Sequence, residues 1–531
     1  MSRVAVIGGG IGGLTAALLL SRQGQEVTLY EQESKVGGRT AFEEEGPFRI
    51  DKGPTIVLLP EMLLGILEEA GIPAERVPLL RCDPLYRIHF RSGRTLIKTG
   101  GAEETAAEIE RTYPGEGAGL LRFMRDMAHL YPQGKRSFLE RDFGRNRDFF
   151  TPSNLRLMLR LQAYRSLRSA VGRYFRSEEL RDAFSLQSLY IGGAPFQTPG
   201  IYTMLPYAEL AFGVWMLKGG YGRLPELMAE ELVRRGVKIH TETAIESLLI
   251  QGRRCRGVVV RGAAEEYDAV LYNGDYPNLD ELLAGGTGRK KAETDEPDSK
   301  QGAPRRRMSS SAGIVAPGWT GSRGSGGRTG GPVRVRRDYL PSSGCVLLYI
   351  GVEKRWEKSL THQFFLPDSL DRSLKSVFKE RRIPADPSYY VFNPAVLDPE
   401  AAPPGASVLY FLIPVPDAHG IDWAAESGPL VERVLEDAER RGFPGLRDRI
   451  VWRKIRTPED AQREGLYGGG SFGIAPVLSQ SGVFRPQPKP LPLEGLYAAG
   501  ASVHPGGGVP IVMQGARLAV SQMMKEMKKR G

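Results

Sequence analysis

Cysteine is scarce. Cys82, Cys255 and Cys345 are the only three, they lie far apart, and no two form a C-x-x-C pair. An odd, scattered set excludes a disulfide scaffold and fits a reducing, cytoplasmic setting. The six histidines are equally dispersed and show no ligand spacing, so no metal is expected. Unbroken apolar runs of spanning length are also missing. The uncharged stretch from Val4 to Ser21 carries five glycines and reads as strand, turn and helix, not as a secretory core. The uncharged stretch from Gly495 to Ala516 is interrupted by Pro505, Pro510 and several glycines. No membrane-spanning helix is expected. There is no Walker loop, no G-x-S-x-G and no H-E-x-x-H.

Negative charge is in deficit, with a net charge of +10. Between residues 288 and 337, however, twelve Lys or Arg face four Asp or Glu, so eight of those ten charges sit in one segment. The basic balance is therefore local and gives no reason to expect a nucleic-acid partner. At 531 residues, with 41% hydrophobic and 25% charged residues, the chain exceeds one core and implies two or three domains.

What is present begins at the N-terminus. Val4-Ala5-Val6-Ile7 is a short β-branched run. Gly8-Gly9-Gly10-Ile11-Gly12-Gly13 follows, then the Ala/Leu helix from Leu14, a second strand at Glu26-Val27-Thr28-Leu29-Tyr30, and Glu31. Gly8, Gly10 and Gly13 occupy the G-x-G-x-x-G positions. The first glycine serves the tight turn, the second the approach of a pyrophosphate and the third the packing of helix on strand. The helix start offers free N–H groups and a positive dipole end to phosphates. Glu31 is placed to accept a ribose hydroxyl and disfavours a 2′-phosphate, which leaves FAD or NAD. Gly37-Gly38-Arg39-Thr40 and Asp51-Lys52-Gly53-Pro54 come next. There the glycines admit the cofactor and Arg39 pairs with a diphosphate.

From these words the chain resembles the FAD-containing amine oxidase and carotenoid desaturase superfamily. The series Ser185-Leu186 through Gly192-Gly193, Pro195, Tyr202, Gly213-Val214-Trp215 and Lys218-Gly219-Gly220 narrows the resemblance to the bacterial phytoene and diapophytoene desaturases. A second strand–glycine–helix motif stands near the end: Gly495-Leu496-Tyr497-Ala498-Ala499-Gly500-Ala501, then His504-Pro505-Gly506-Gly507-Gly508-Val509-Pro510 and a helix from Ile511. In the superfamily that segment lies against the flavin. Many relatives carry an acid where this chain has Ala501.

The resemblance implies an α/β fold: a Rossmann-like FAD-binding domain of the GR2 type, a mixed-sheet substrate domain and a helical, membrane-associating subdomain. It divides the chain into FAD-binding parts at 1–80, 213–284 and 481–531, substrate parts at 81–212 and 338–480, and an insertion at 285–337. That insertion, rich in Gly, Ser, Arg and Pro, has no apolar period and is expected to be disordered. Its Arg305-Arg306-Arg307 could touch anionic lipid. The expected FAD contacts are Gly8, Gly10, Ile11, Gly12, Gly13, Glu31, Gly38, Arg39, Thr40, Gly53, Pro54, Ile245, Gly500, Ala501, Gly508, Val509 and Pro510. His504, Asp275 and Arg165 are the candidate acid–base groups; His504 serves equally well to position its turn.

The implied reaction is hydride removal from a long apolar polyene, phytoene or diapophytoene, with a quinone or oxygen as final acceptor. Oxidation of terminal methyls of diaponeurosporene is the alternative within the family. Amine oxidation and a flavin-free prenyl-lipid carrier with the fold of a GDP-dissociation inhibitor are the others. Residues 154–171 set Leu155, Met158, Leu159 and Leu161 beside Arg156, Arg160, Arg165 and Arg168, a basic amphipathic helix that could lie on a membrane. The expected location is therefore the cytoplasm, at the membrane surface; the sequence leaves the oligomeric state open.

Overall fold

A computed structural model describes residues 1–284, 335 and 338–529. Apart from Val335, the expected 285–337 insertion and its arginine triplet lie outside the described residues.

Three distant parts of the chain build one parallel sheet. Its order is Leu496–Ala498, Ala269–Tyr272, Arg3–Ile7, Glu26–Tyr30 and Lys238–His240. Both faces are covered, so the strands read as nearly continuous apolar runs. The first helix, Ile11–Arg22, is buried for ten residues. It packs between Val509–Lys528 and Arg223–Arg234. Glu231 and Arg235 fix the last of these: Arg235 donates to the carbonyls of Leu18 and Ala70 while pairing with Glu231. The chain leaves Arg3–Ile7 on one side toward Glu26–Tyr30 and returns on the other at Ala269–Tyr272. The carboxyl ends of those central strands form the switch-point crevice where such sheets take their ligands.

The second sheet is mixed and seven-stranded, running Ile450–Arg456, Gly344–Val352, Ser407–Val415, Tyr389–Phe392, His362–Phe365, Tyr86–His89 and Thr95–Lys98. Only the pair joining His362–Phe365 to Tyr86–His89 is parallel. Side chains alternate across it. Val346, Leu348 and Ile350 point to the helix Trp423–Arg441 and meet Leu430, Val434 and Leu435. Leu347, Tyr349, Phe364, Tyr390 and Tyr410 point the other way, into a core shared with the helices of residues 102–212. That second face becomes the wall of a cavity.

The basic helix expected over 154–171 is two helices. Pro152–Arg160 is capped by Thr151, and Leu167–Val171 by Ser166. Between them Gln162 takes a left-handed conformation, φ 53°, and Ser166 bridges Pro199. A residue with φ in that region cannot continue an α-helix, so apolar spacing ran on where the backbone turned. No helix among the described residues is long and apolar enough to cross a membrane.

Candidate active site

Two cavities open at the crevice. One, about 620 Å³, is the more polar of the two and follows the glycine turn. Gly8 holds φ +96°, and a Cβ at Gly13 would stand 2.0 Å from the Gly8 carbonyl oxygen. At Gly12 a Cβ would stand 2.3 Å from Asn273 Oδ1. These glycines are therefore required by close approach and not by loop flexibility. Glu31 closes the far side, its carboxylate accepting Gly9 N–H at 2.6 Å and Glu33 N–H at 3.0 Å.

Of the expected cofactor contacts, Gly8, Gly10, Ile11, Gly12, Glu31, Gly38, Arg39, Thr40, Gly53, Pro54, Ile245, Gly500, Ala501, Gly508 and Val509 line this cavity. Gly13 lies beneath the turn and Pro510 faces the neighbouring cavity. Arg39 donates to the Ser471 carbonyl at 2.9 Å and forms no ion pair among the described residues, leaving guanidinium donors for a diphosphate. Asn273 donates to Gly8 O at 3.2 Å, while its Oδ1 is buried with no partner. A cradle that a Cβ would fill, an orphaned amide oxygen and an unpaired arginine suit a dinucleotide diphosphate. The buried helix start at Ile11 adds its dipole. FAD bound here would supply the hydride acceptor.

The other cavity, about 800 Å³, is overwhelmingly apolar. Tyr131, Phe138, Phe149, Leu186, Phe364 and Tyr390 are among its walls, and its size is that of a pocket for a sizeable ligand. It joins the polar cavity at Gly53, Pro54, Tyr190, Tyr410, Leu412, Phe472, Gly507, Gly508 and Val509, which line both. At that junction an apolar substrate meets whatever the glycine turn holds.

The three acid–base candidates fall in different places. Asp275 lines the polar cavity, with one oxygen on Ser502 Oγ and the other accepting Tyr467 N–H at 3.0 Å. His504 lines the apolar cavity. Its Nε2 pairs with the Arg141 carbonyl at 2.9 Å, so that nitrogen carries the hydrogen; Nδ1 has no hydrogen-bond partner, with the Gly482 carbonyl nearby. Burial pushes the imidazole down to about 4, so the ring is neutral near pH 7 and binds a proton weakly. Arg165 is brought to neither cavity. It is exposed beside the Tyr164 ring, 5.8 Å away, because the chain turns at Gln162 before reaching it. The expectation for Arg165 is therefore withdrawn.

The aromatic passage at residues 184–193, which the family resemblance makes a tunnel lining, supplies Tyr190; sequence reasoning gave no site role to Tyr410, Phe472 and Arg485. Tyr190 donates to Glu209 at 2.8 Å, and Glu209 pairs with Lys98 with both side chains fully buried. Tyr410, Phe472 and Arg485 lie in no spaced motif, and only the folding of the second sheet over the first brings them together with Tyr190. Asn273 had a usable signal: it follows directly on the strand that flanks Arg3–Ile7 at the switch point.

Comparison with known proteins agrees with this geometry. The profile of the family described as flavin containing amine oxidoreductase matches residues 11–315. The chain is 42% identical over 524 residues to a 4,4'-diapolycopen-4-al dehydrogenase of Metabacillus indicus, covering 99% of this chain and 97% of that one. It is 32% identical over 527 residues to a zeta-carotene-forming phytoene desaturase of Myxococcus xanthus, covering 98% and 94%. Among solved structures, a putrescine oxidase bound to putrescine shares the fold, with TM-score 0.61, 13% identity and 99% coverage of both chains. The chain belongs to the flavin-containing amine oxidoreductase family, within its carotenoid desaturase group, and is an FAD-dependent oxidoreductase.

Proposed function

We propose that this protein removes hydride from a long, linear carotenoid-type polyene held in the apolar cavity. The observation that carries this reading is the junction: one apolar cavity meets the glycine-lined cavity across Gly53, Pro54 and Gly507–Val509. The chain's own part is to strip water from the hydrocarbon and to fix its angle of approach. Tyr190 and Tyr410 form the wall at that point and Tyr390 lines the apolar cavity, their hydroxyls kept un-ionised by burial. No aromatic cage or acidic group suited to an amine ammonium stands among the glycines 506–508. The residues of the glycine turn, Glu31 and Arg39 would hold FAD.

Two reactions share this step. Desaturation of neighbouring saturated carbons, as in phytoene or diapophytoene, is the reading reached from the sequence. Oxidation at the terminal carbon is the second, and the 42% relative that acts on a terminal aldehyde favours it. Supplying a phytoene-type hydrocarbon, a diapophytoene-type hydrocarbon and a terminally oxidised diapolycopene-type aldehyde to separate expressing cultures, with chromatography of the pigments, decides between them. Longer conjugation means desaturation; a new terminal oxygen means terminal oxidation; no change in any culture rejects the polyene reading.

The mouth of the cavity supports a peripheral membrane site. Phe150, Leu155, Leu159, Tyr164, Leu478 and Phe484 line it and are exposed, Leu159 and Tyr164 by 64% and 63%. Arg156, Arg160 and Arg165, also exposed, neighbour Leu155, Leu159 and Tyr164 in the chain. Apolar tips with cations beside them suit an anionic bilayer, from which a polyene would pass directly inward. The electron acceptor in this reading is a quinone in that bilayer or dissolved oxygen.

A further inference from the structure

Among the described residues, Arg485 is the only Lys, Arg, Asp or Glu that lines the apolar cavity. It is 4% exposed and makes no ion pair with any described residue. Its terminal nitrogens donate to the carbonyls of Gln480, Ile474 and Ala501. Its Nε–H is buried with no partner. Asp275, whose field reaches it, directs its own oxygens to Ser502 and Tyr467. The neighbour across from Nε is Gly506, with φ +141°; a Cβ there would stand 3.8 Å from both Nε and Cζ. Glycine at 506 keeps side-chain atoms off the guanidinium edge, beside the Gly507–Val509 segment where the two cavities meet.

A hydrocarbon gains nothing from such a group. A buried cation with an idle donor is costly, and the cost is relieved when a ligand oxygen, best an anionic one, takes the open position. Backbone carbonyls hold the guanidinium plane, so the free edge is already oriented. We infer that Arg485 is a specificity-determining residue: its Nε–H receives the terminal oxygen of an oxidised polyene, the aldehyde carbonyl or the carboxylate. The inference rests on the polyene reading above and names the end group that the cavity prefers.

The test uses the full-length, FAD-loaded protein and three linear polyenes of equal chain length, ending in methyl, aldehyde and carboxylate. Binding is read in detergent by quenching of protein fluorescence, and flavin content reports folding of each variant. The expected result is carboxylate bound roughly tenfold or more tighter than the methyl-ended polyene, with the aldehyde between them. Arg485→Met brings the three affinities within about twofold of one another. Arg485→Lys, which keeps the charge but lacks the planar edge, restores the carboxylate preference in part and the aldehyde preference not at all. Equal binding of all three by the unaltered protein overturns the inference without recourse to any variant. So does an Arg485→Met protein that keeps the preference. Failure of all three polyenes to bind the unaltered protein instead removes the polyene reading itself.

Discussion

At the scale of single residues, the clearest constraints are steric and electrostatic. Gly13→Ala would place a methyl group against the Gly8 carbonyl, at 2.0 Å before relaxation. Forcing the turn apart costs about 1–3 kcal/mol and removes the shape that holds the diphosphate. The purified variant is expected to carry less than about a tenth of the normal flavin, read from its visible spectrum. Lys98 and Glu209 form a second constraint. The ammonium lies 3.4 Å from Glu209 and 2.6 Å from the Tyr86 hydroxyl, and Tyr86 and Gln187 also donate to Glu209. Lys98→Met strands that carboxylate without its cation, at a cost of about 3–5 kcal/mol in chemical denaturation. The neutral His504 gives a pH dependence. Its folded value, about 4, lies below the ordinary 6.5, so between those values the unfolded chain binds the extra proton. Stability is therefore lost as pH falls from 6.5 toward 4. His504→Phe should make that part of the melting-temperature profile shallower, with buried His89 and His362 supplying the remaining slope; an unchanged slope there rules out this assignment.

At the scale of elements, the helix Arg223–Arg234 shows how a sequence-legible unit is locked by groups the sequence does not advertise. Glu231 bonds Arg234 at 2.6 Å and Arg235 at 2.7 Å, and Arg235 staples the helix to Leu18 and Ala70. The Arg234 hydrogen bonds hold Glu231 down to about 2, so its contribution is present above the ordinary carboxylate value and is lost as pH falls toward 2. Glu231→Gln should lower the melting temperature at neutral pH and make the acid limb between about 4.5 and 2 shallower. The helix itself was readable from its apolar period, as were the strands at 3–7, 26–30, 269–272 and 407–415, because burial on one or both faces leaves a regular pattern. The stretch 154–171 was misread as one helix for the same reason: apolar period does not register a left-handed Gln162. Its first half still supplies Leu155 and Leu159 to the cavity mouth. Leu159→Glu together with Phe484→Glu should weaken sedimentation with anionic vesicles at least tenfold, since each buried side chain is worth about 1.5–3 kcal/mol. Equal sedimentation of variant and unaltered protein places the membrane contact elsewhere.

At the scale of the molecule, the two ends of the chain meet through a sheet whose five strands come from residues 3–7, 26–30, 238–240, 269–272 and 496–498. The glycine motifs at both ends were legible because close backbone approach demands glycine, and that demand is written locally. The apolar cavity was not legible residue by residue. Tyr190, Tyr410 and Phe472 converge only when the seven-stranded sheet and the helices of residues 102–212 close over the first sheet, and aromatic side chains in any core look the same in sequence. In the proposed function this cavity delivers a polyene to FAD at the glycine turn. The most direct test is an anaerobic mixture of the flavin-loaded protein with each polyene class in turn. For the true substrate the visible flavin band should bleach in step with formation of oxidised polyene, one equivalent per flavin, and return on admission of oxygen or a quinone. An oxidised flavin spectrum that persists while product accumulates, or that persists with every polyene offered, would contradict it.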